Sequence, residues 1–332
     1  MNVGINGFGR IGRQVFRSLQ ARYKNQINIV AVNDLGSPKV NAHLLKYDTN
    51  YGPYQGTVDA TEKSLLVDGK EIAVLSERDP GVIPWSDFDV SLVIESTGFF
   101  TDGNDAKKHI QGSVNKVIIS APAKNEDITL VLGVNEEAYN PSNHKVISNA
   151  SCTTNCVANM VKVLDDYFGV ENGLMSTIHS FTNDQKILDQ VHSDLRRARA
   201  ASENIIPTTT GAAAAVGLVL PSLKGKLDGM AFRVPTSTVS ITDFVGNLKT
   251  KVTVDEINDA YKKESTNRLK GILAFSDEEL VSSDFKFNPN SCIIDGLSTM
   301  VMEDNCVKVI GWYDNEWGYA SRTADLVAFL DS

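Results

Sequence analysis

Gly7-Phe8-Gly9-Arg10-Ile11-Gly12, near the start of the chain, constrains its fold more than any other stretch. A GxGxxG run says little alone. Here it follows a strand-like segment, Asn2–Asn6, and opens Arg10–Ala21, whose apolar Ile11, Val15, Phe16 and Leu19 recur at helical spacing. A second strand-like run, Asn28–Asn33, leads straight into Asp34. That is the order of a parallel strand–helix–strand unit built to hold a dinucleotide. Gly7 permits the tight turn, Gly9 leaves the backbone bare for a pyrophosphate, and Gly12 lets the helix lie close to the strand. The amide N–H groups and dipole of the helix start then favour phosphate. Asp34 stands about 20 residues on, where a carboxylate accepts from a ribose 2′-OH and repels a 2′-phosphate, which favours NAD over NADP. Arg78 is a candidate cation for the adenine side, with a solvated loop arginine as the plain alternative.

The chain has 332 residues, more than one ordinary core accommodates, so two domains are expected. Short strands at Ser91–Ser96, Lys116–Ser120, Thr129–Val131 and Lys145–Ser148 alternate with helical stretches, and Asp68-Gly69 marks a hairpin between Ser64–Val67 and Lys70–Leu75. Residues 1–150 are therefore expected to form an α/β, doubly wound, mainly parallel Rossmann domain. Longer strand-like runs follow, at Gly173–Thr182, Ala231–Leu248, Cys292–Glu303 and Cys306–Tyr313, with few helices between them. They predict an α+β catalytic domain with a mostly antiparallel sheet over 151–315, and a C-terminal helix within 316–332 packing back onto the first domain.

The net charge of −9 argues against nucleic acid or an anionic membrane as the main partner. No run reaches the ~18 apolar residues of a membrane span. The four cysteines show no metal-ligand spacing, so no metal is expected, and a start lacking a signal-like segment suggests a reducing cytoplasmic compartment.

The second informative stretch is Ser148-Asn149-Ala150-Ser151-Cys152-Thr153-Thr154-Asn155-Cys156. A strand enters it and a helix leaves it, which places Cys152 at a helix start, where the dipole favours a thiolate. Ser151 and Thr153 add groups suited to an anion. Cys156 reads as structural, and Cys292 and Cys306 as buried and inert. Of five histidines, His179 ends an apolar strand beside a polar loop and is the candidate base; His43, His109, His144 and His192 read as surface residues. The basic run around Arg197 reads first as a solvated face, although Thr210-Gly211 before a small-residue helix suits phosphate, and an inward Arg233 would need an anion.

These residues closely resemble the phosphorylating glyceraldehyde-3-phosphate dehydrogenase family along the whole chain: INGFGRIGR, HLLKYD, STGFF, SAPAK, SNASCTTNC, DLRRARAA, NIIPTTTGAA, RVPT and WYDNEWGY. The resemblance implies that Cys152 is the nucleophile and His179 its activating base, through a hemithioacetal and a thioester. It implies that Ser151, Thr153, Thr182, Arg197, Thr210, Gly211 and Arg233 hold glyceraldehyde 3-phosphate and inorganic phosphate, and that Arg10, Ile11, Asp34, Arg78, Ser120 and Asn315 contact the cofactor. A cytoplasmic homotetramer serving glycolysis or gluconeogenesis is implied too. Gln190-Val191 stands where many NAD-specific members carry Leu-Pro, which leaves NADP use open, and Ala214 replaces a common lysine at an expected surface position. Erythrose-4-phosphate dehydrogenase is the near alternative; a non-catalytic NAD-sensing or RNA-binding protein on the same scaffold is the distant one.

Overall fold

The computed structural model describes residues 1–331; residue 332, the end of the expected C-terminal segment, lies outside the described residues. The chain divides into two compact units. One comprises Met1–Leu130, Glu137–Ala150 and the stretch from Ala320 onward; the other comprises Val131–Glu136 and Ser151–Tyr319. The short piece Val131–Glu136 thus groups with the second unit, and the return to the first falls at Ala320 rather than 316.

The first unit is a nine-stranded sheet. Its strands are β1 (Asn2–Asn6), β2 (Asn28–Asn33), β3 (Val58–Ala60), β4 (Ser64–Val67), β5 (Lys70–Leu75), β6 (Leu92–Glu95), β7 (Lys116–Ile119), β8 (Ile128–Thr129) and β9 (Val146–Ser148), with helices α1 (Arg10–Arg22), α2 (Pro38–Lys46) and α3 (Gly103–Ala106). The order is β3-β4-β5-β2-β1-β6-β7-β9-β8. β1 pairs in parallel with both β2 and β6, so the chain reverses its direction of travel across the sheet there, and the crevice at the carboxyl ends of these strands is where such sheets bind ligands. The hairpin forms in the expected register, Val67 opposite Lys70. α3 is a single turn, followed directly by a 3-10 turn, Lys107–His109.

In the second unit, α4 (Cys152–Phe168) precedes β10 (Val170–Ser180), β11 (Ile206–Thr209), α5 (Ala212–Val219), β12 (Leu227–Val234), β13 (Ser240–Leu248), α6 (Val254–Thr266), β14 (Leu273–Ser276), β15 (Cys292–Asp295), β16 (Met300–Met302) and β17 (Cys306–Tyr313). Most ladders are antiparallel; β10–β12 and β14–β15 are parallel. The run Ala231–Leu248 is two strands, because Pro235 lacks the N–H the ladder needs and β12 stops just before it. Cys292–Glu303 is also interrupted, by a turn at Gly296–Ser298 in which Asp295 accepts from the Ser298 N–H. Ile206–Thr209 pairs with β12.

Helix α7 (Trp317–Asp331) follows β17, and its later turns belong to the first unit. There Asp325 accepts from Tyr23 Oη at 2.6 Å and pairs with Arg22 at 2.7 Å, while Lys116 Nζ donates to the Leu330 carbonyl at 3.3 Å.

Candidate dinucleotide cleft and cysteine–histidine site

In the first unit, a cleft of about 540 Å³ opens at the carboxyl ends of β1, β2 and β6, lined by Gly7, Gly9, Asp34, Arg78, Ser96, Thr97 and Phe99 among others. Gly7 sits at φ +88°, a left-handed conformation that suits glycine. A Cβ at Gly12 would fall 2.2 Å from the Gly7 carbonyl oxygen, so only glycine lets α1 approach β1 this closely. A Cβ at Gly9 would meet nothing within 4 Å and would project into open space. The first α1 ladder bond runs from the Arg13 N–H to the Gly9 carbonyl, so the amide groups ahead of it are turned out of the ladder.

The Asp34 carboxylate already accepts from the Phe8 N–H at 2.9 Å and the Gly36 N–H at 2.8 Å, which ties the glycine turn to the end of β2. The Arg10 guanidinium is bonded to Asp48, so the contribution of this residue to a bound anion is its place at the helix start. Ile11 follows it in the same first turn. Arg78 is exposed on the cleft wall. Ser120 lies just past β7 with its N–H bonded to the Glu95 carbonyl. Phe99, 86% exposed, and Leu35 give the cleft apolar walls; nothing in the local sequence pattern marks them out.

In the second unit, Ser151 caps α4, its hydroxyl accepting from the Thr154 N–H at 2.9 Å. That places Cys152 in the first turn, its Sγ 3.5 Å from His179 Nε2. His179 comes from the end of β10 and is 4% exposed. Its Nδ1 lies 2.7 Å from the Ser180 carbonyl and 2.6 Å from Arg233 Nη1, and Arg233 Nη1 also donates to that carbonyl at 3.1 Å. The pairing follows from register, since His179 stands beside Arg233 in the parallel β10–β12 ladder.

Electrostatics at this site are set by burial and by Arg233. Burial, and then the Arg233 cation, pull the His179 imidazole down to about 3. Burial pushes the Cys152 thiol up, while Arg233 and the hydroxyl and amide of Thr153 pull it down. Burial lowers the Arg233 pKa as well; its Nε is buried without a hydrogen-bond partner, and among the described residues it forms no ion pair with a carboxylate. A donor left in this state suits an anionic ligand.

Tyr313 was not singled out from the sequence. Its hydroxyl lies 2.8 Å from Thr153 Oγ1 and 2.9 Å from Thr177 Oγ1, and its ring stands edge-on to His179 at 6.0 Å. It thereby links α4 to β10. Arg197 is not a solvated residue, as its charge-rich neighbourhood suggested. It donates to Thr208 Oγ1 at 2.8 Å and pairs with Asp184 at 2.7 Å. Asp184 and Thr208 also escaped notice, since nothing local announces a partner so far along the chain. The Thr182 N–H donates to Gln185 Oε1, Thr210 Oγ1 accepts from the Ala212 N–H, and Gly211 caps α5 beside open space. Asn315 is buried, its Oδ1 accepting from Ser180 Oγ at 2.9 Å and Ser240 Oγ at 3.1 Å, which leaves its NH₂ as a donor.

Two expectations need correction. His109 is not on the surface; it is fully buried against Glu95 and Trp85, partners that come from distant elements. Cys306 is only half-buried; Cys292 is fully buried. Ala214 is exposed, as expected. Among the described residues no cluster of three or more His, Cys, Asp or Glu side chains is placed to hold a metal, and no helix is long and apolar enough to cross a membrane.

A doubly wound dinucleotide unit, followed in the chain by a unit that sets a cysteine against a histidine and an arginine, defines an NAD-dependent oxidoreductase acting on an aldehyde. Residues 1–103 match the family model for the glyceraldehyde 3-phosphate dehydrogenase NAD binding domain, and residues 151–315 match that for its C-terminal domain. The chain is 59% identical to glyceraldehyde-3-phosphate dehydrogenase 1 of Bacillus cereus over 330 residues, 99% of this chain and 98% of the relative. It is 60% identical to glyceraldehyde-3-phosphate dehydrogenase of Streptomyces coelicolor over 331 residues, again 99% and 98%. The Geobacillus stearothermophilus enzyme of the same name is 57% identical over 333 residues, 100% and 98%. The chain belongs to the glyceraldehyde 3-phosphate dehydrogenase family.

Proposed function

We propose that the protein oxidises D-glyceraldehyde 3-phosphate to 1,3-bisphosphoglycerate with inorganic phosphate, using NAD. The observation that carries this reading is the 3.5 Å contact between Cys152 Sγ and His179 Nε2 beside the buried cation of Arg233. Nδ1 lies between the Ser180 carbonyl, which only accepts, and Arg233 Nη1, which only donates; this reading takes the tautomer whose Nδ1–H goes to the carbonyl, so that Nε2 is the acceptor that takes the thiol proton. Arg233 stabilises the thiolate so formed. The thiolate adds to the aldehyde carbon and His179 returns its proton to the new oxyanion, giving a hemithioacetal; His179 then takes that hydroxyl proton as hydride leaves the carbon and the thioester forms. Phosphate then attacks the thioester carbonyl, and the thiolate leaves.

The open cradle above Gly9 and the Asp34 carboxylate fit a dinucleotide. Gly7, Gly9, Arg10, Ile11, Gly12, Asp34, Arg78 and Ser120 would hold NAD, with the NH₂ of Asn315 as a further donor. NAD bound there supplies the hydride acceptor. Arg233, Arg197, Thr182, Thr210, Gly211, Ser151 and Thr153 would receive the two phosphates, for which charge-assisted donors are the suitable chemistry.

A homotetramer is part of this reading. Leu174, Met230 and Val245 are exposed on neighbouring strands of the second sheet, with Leu174 directly opposite Val245, and Ile187, Leu188, Val191 and Leu195 are exposed in the segment after β10. So much uncovered apolar surface suits burial between copies. Light scattering after size exclusion tests it. A cytoplasmic role in glycolysis or gluconeogenesis follows from the substrate. The decisive assay is NADH formation with glyceraldehyde 3-phosphate, with and without phosphate, beside erythrose 4-phosphate and NADP. Phosphate-independent oxidation, or a preference for the tetrose, overturns the proposal.

A further inference from the structure

The histidine that is most buried in this protein lies outside the cysteine site. His109 is fully buried, and around it runs a hydrogen-bond path whose every orientation is dictated by chemistry. The indole N–H of Trp85 can only donate, and it points at His109 Nδ1 at 3.1 Å. Nδ1 is therefore bare, the ring proton is on Nε2, and Nε2–H donates to Glu95 Oε2 at 3.1 Å. At the other end, the Glu77 N–H donates to Asn33 Oδ1 at 2.8 Å, which turns the Asn33 NH₂ toward Asn6 Oδ1 at 2.7 Å. The Asn6 NH₂ is thus turned toward Glu95 Oε2, at 2.5 Å. The remaining oxygen, Oε1, accepts from both the N–H and the hydroxyl of Thr97, at 2.8 and 2.5 Å. The Asn6 NH₂, the His109 Nε2–H and the Thr97 N–H can only donate, and the Thr97 hydroxyl, which accepts from the Phe99 N–H, has its own proton to give, so Glu95 meets four donors.

This buried carboxyl group is the node of the dinucleotide cleft. Asn6, Asn33, Glu77 and Thr97, all tied to it directly or through one another, line that cleft. Glu95 to Thr97 is also the segment on which Gly7 rests: a Cβ at Gly7 would lie 2.6 Å from the Thr97 N and 2.8 Å from the Ser96 carbonyl carbon. We propose that Glu95 and His109 are positioning residues for NAD, holding Asn6, Thr97 and the Gly7 turn in the geometry that receives the dinucleotide. The inference rests on the reading of this cleft as the NAD site. His109 supplies the one donor to Glu95 that comes from outside the cleft wall, and Trp85 selects the tautomer that makes it a donor.

The test compares His109→Phe, His109→Gln and Glu95→Gln in the full-length enzyme by NAD titration calorimetry and steady-state kinetics. Phe removes both bonds. Gln restores both, its carbonyl to Trp85 and its NH₂ to Glu95. Glu95→Gln places a donor among donors. His109→Phe and Glu95→Gln are expected to weaken NAD binding on the order of tenfold or more, the loss that one unpaired buried polar group carries. The KM for the aldehyde and kcat at saturating NAD should hold, and His109→Gln should return NAD affinity to within about twofold of the parent. If His109→Phe fails to fold, the contrast between Glu95→Gln and His109→Gln decides. Unchanged NAD affinity in Glu95→Gln, or equal loss in His109→Gln and His109→Phe, overturns the proposal. Asp34→Ala serves as the control: if it leaves NAD binding untouched, the reading of the cleft itself fails.

Discussion

Cys152 Sγ and His179 Nε2 stand 3.5 Å apart, and the Arg233 guanidinium acts on both, pulling the thiol and the imidazole down together. Beside the imidazolium formed when His179 takes the thiol proton, Arg233 would give a thiolate here a second positive charge, one that does not depend on that proton. His179→Gln keeps a polar side chain but no base. It should slow turnover by about 10²–10⁴-fold and slow alkylation of Cys152 by iodoacetamide at neutral pH. Undiminished alkylation would show that the two residues do not act as a pair.

Arg233→Gln removes the cation. The Cys152 thiol then loses a group that pulls its pKa down, so its alkylation profile should move to higher pH, while turnover falls through poorer phosphate capture. A profile that stays put would remove Arg233 from the thiolate's stabilisation.

His179 also makes a statement about stability. Its folded-state value, about 3, lies below the ordinary 6.5, so the folded protein binds fewer protons than the unfolded chain in between. Stability contributed by the neutral ring is complete above about 6.5 and declines as pH falls toward 3. Urea unfolding at pH 7 and pH 5 should show a loss that His179→Asn reduces.

Gly9 and Gly12 share a motif but not a task. Gly12→Ala drives a methyl to 2.2 Å from a backbone oxygen and should destabilise by about 1–3 kcal/mol or prevent folding. Gly9→Ala meets nothing in the protein and should leave Tm unchanged while weakening NAD binding. Calorimetric Tm and NAD titration of the two variants give this contrast directly.

Tyr313→Phe leaves the Thr153 and Thr177 hydroxyls without the oxygen they share. The expected cost is about 1–2 kcal/mol of stability together with a lower kcat, since the link between α4 and β10 is cut. Denaturant unfolding and kinetics on one preparation check both.

Much of this was legible in the chain. β1, β2, the hairpin and β17 follow from local pattern, and Cys152 from the strand and helix on either side of it. What was not legible depends on distance. His109 looks like a polar surface residue until Glu95 and Trp85 are folded around it. Arg197 looks solvated until Asp184 and Thr208 reach it. Tyr313 is one more apolar residue of a strand until the fold brings its hydroxyl to 2.9 Å from Thr177 Oγ1, across β13. Pro235 did carry a local signal, and a stricter reading of its missing N–H would have divided the long run at β12.

Asp34 has two duties in the proposed reading. It lines the cleft, where a carboxylate would disfavour a 2′-phosphate, and it pins the amides of Phe8 and Gly36. Cofactor choice and loop shape are therefore inherited as one trait. A lineage drifting toward NADP through this position alone would slacken the turn that holds either cofactor, so the change is passable only after some other group has taken over those two amides.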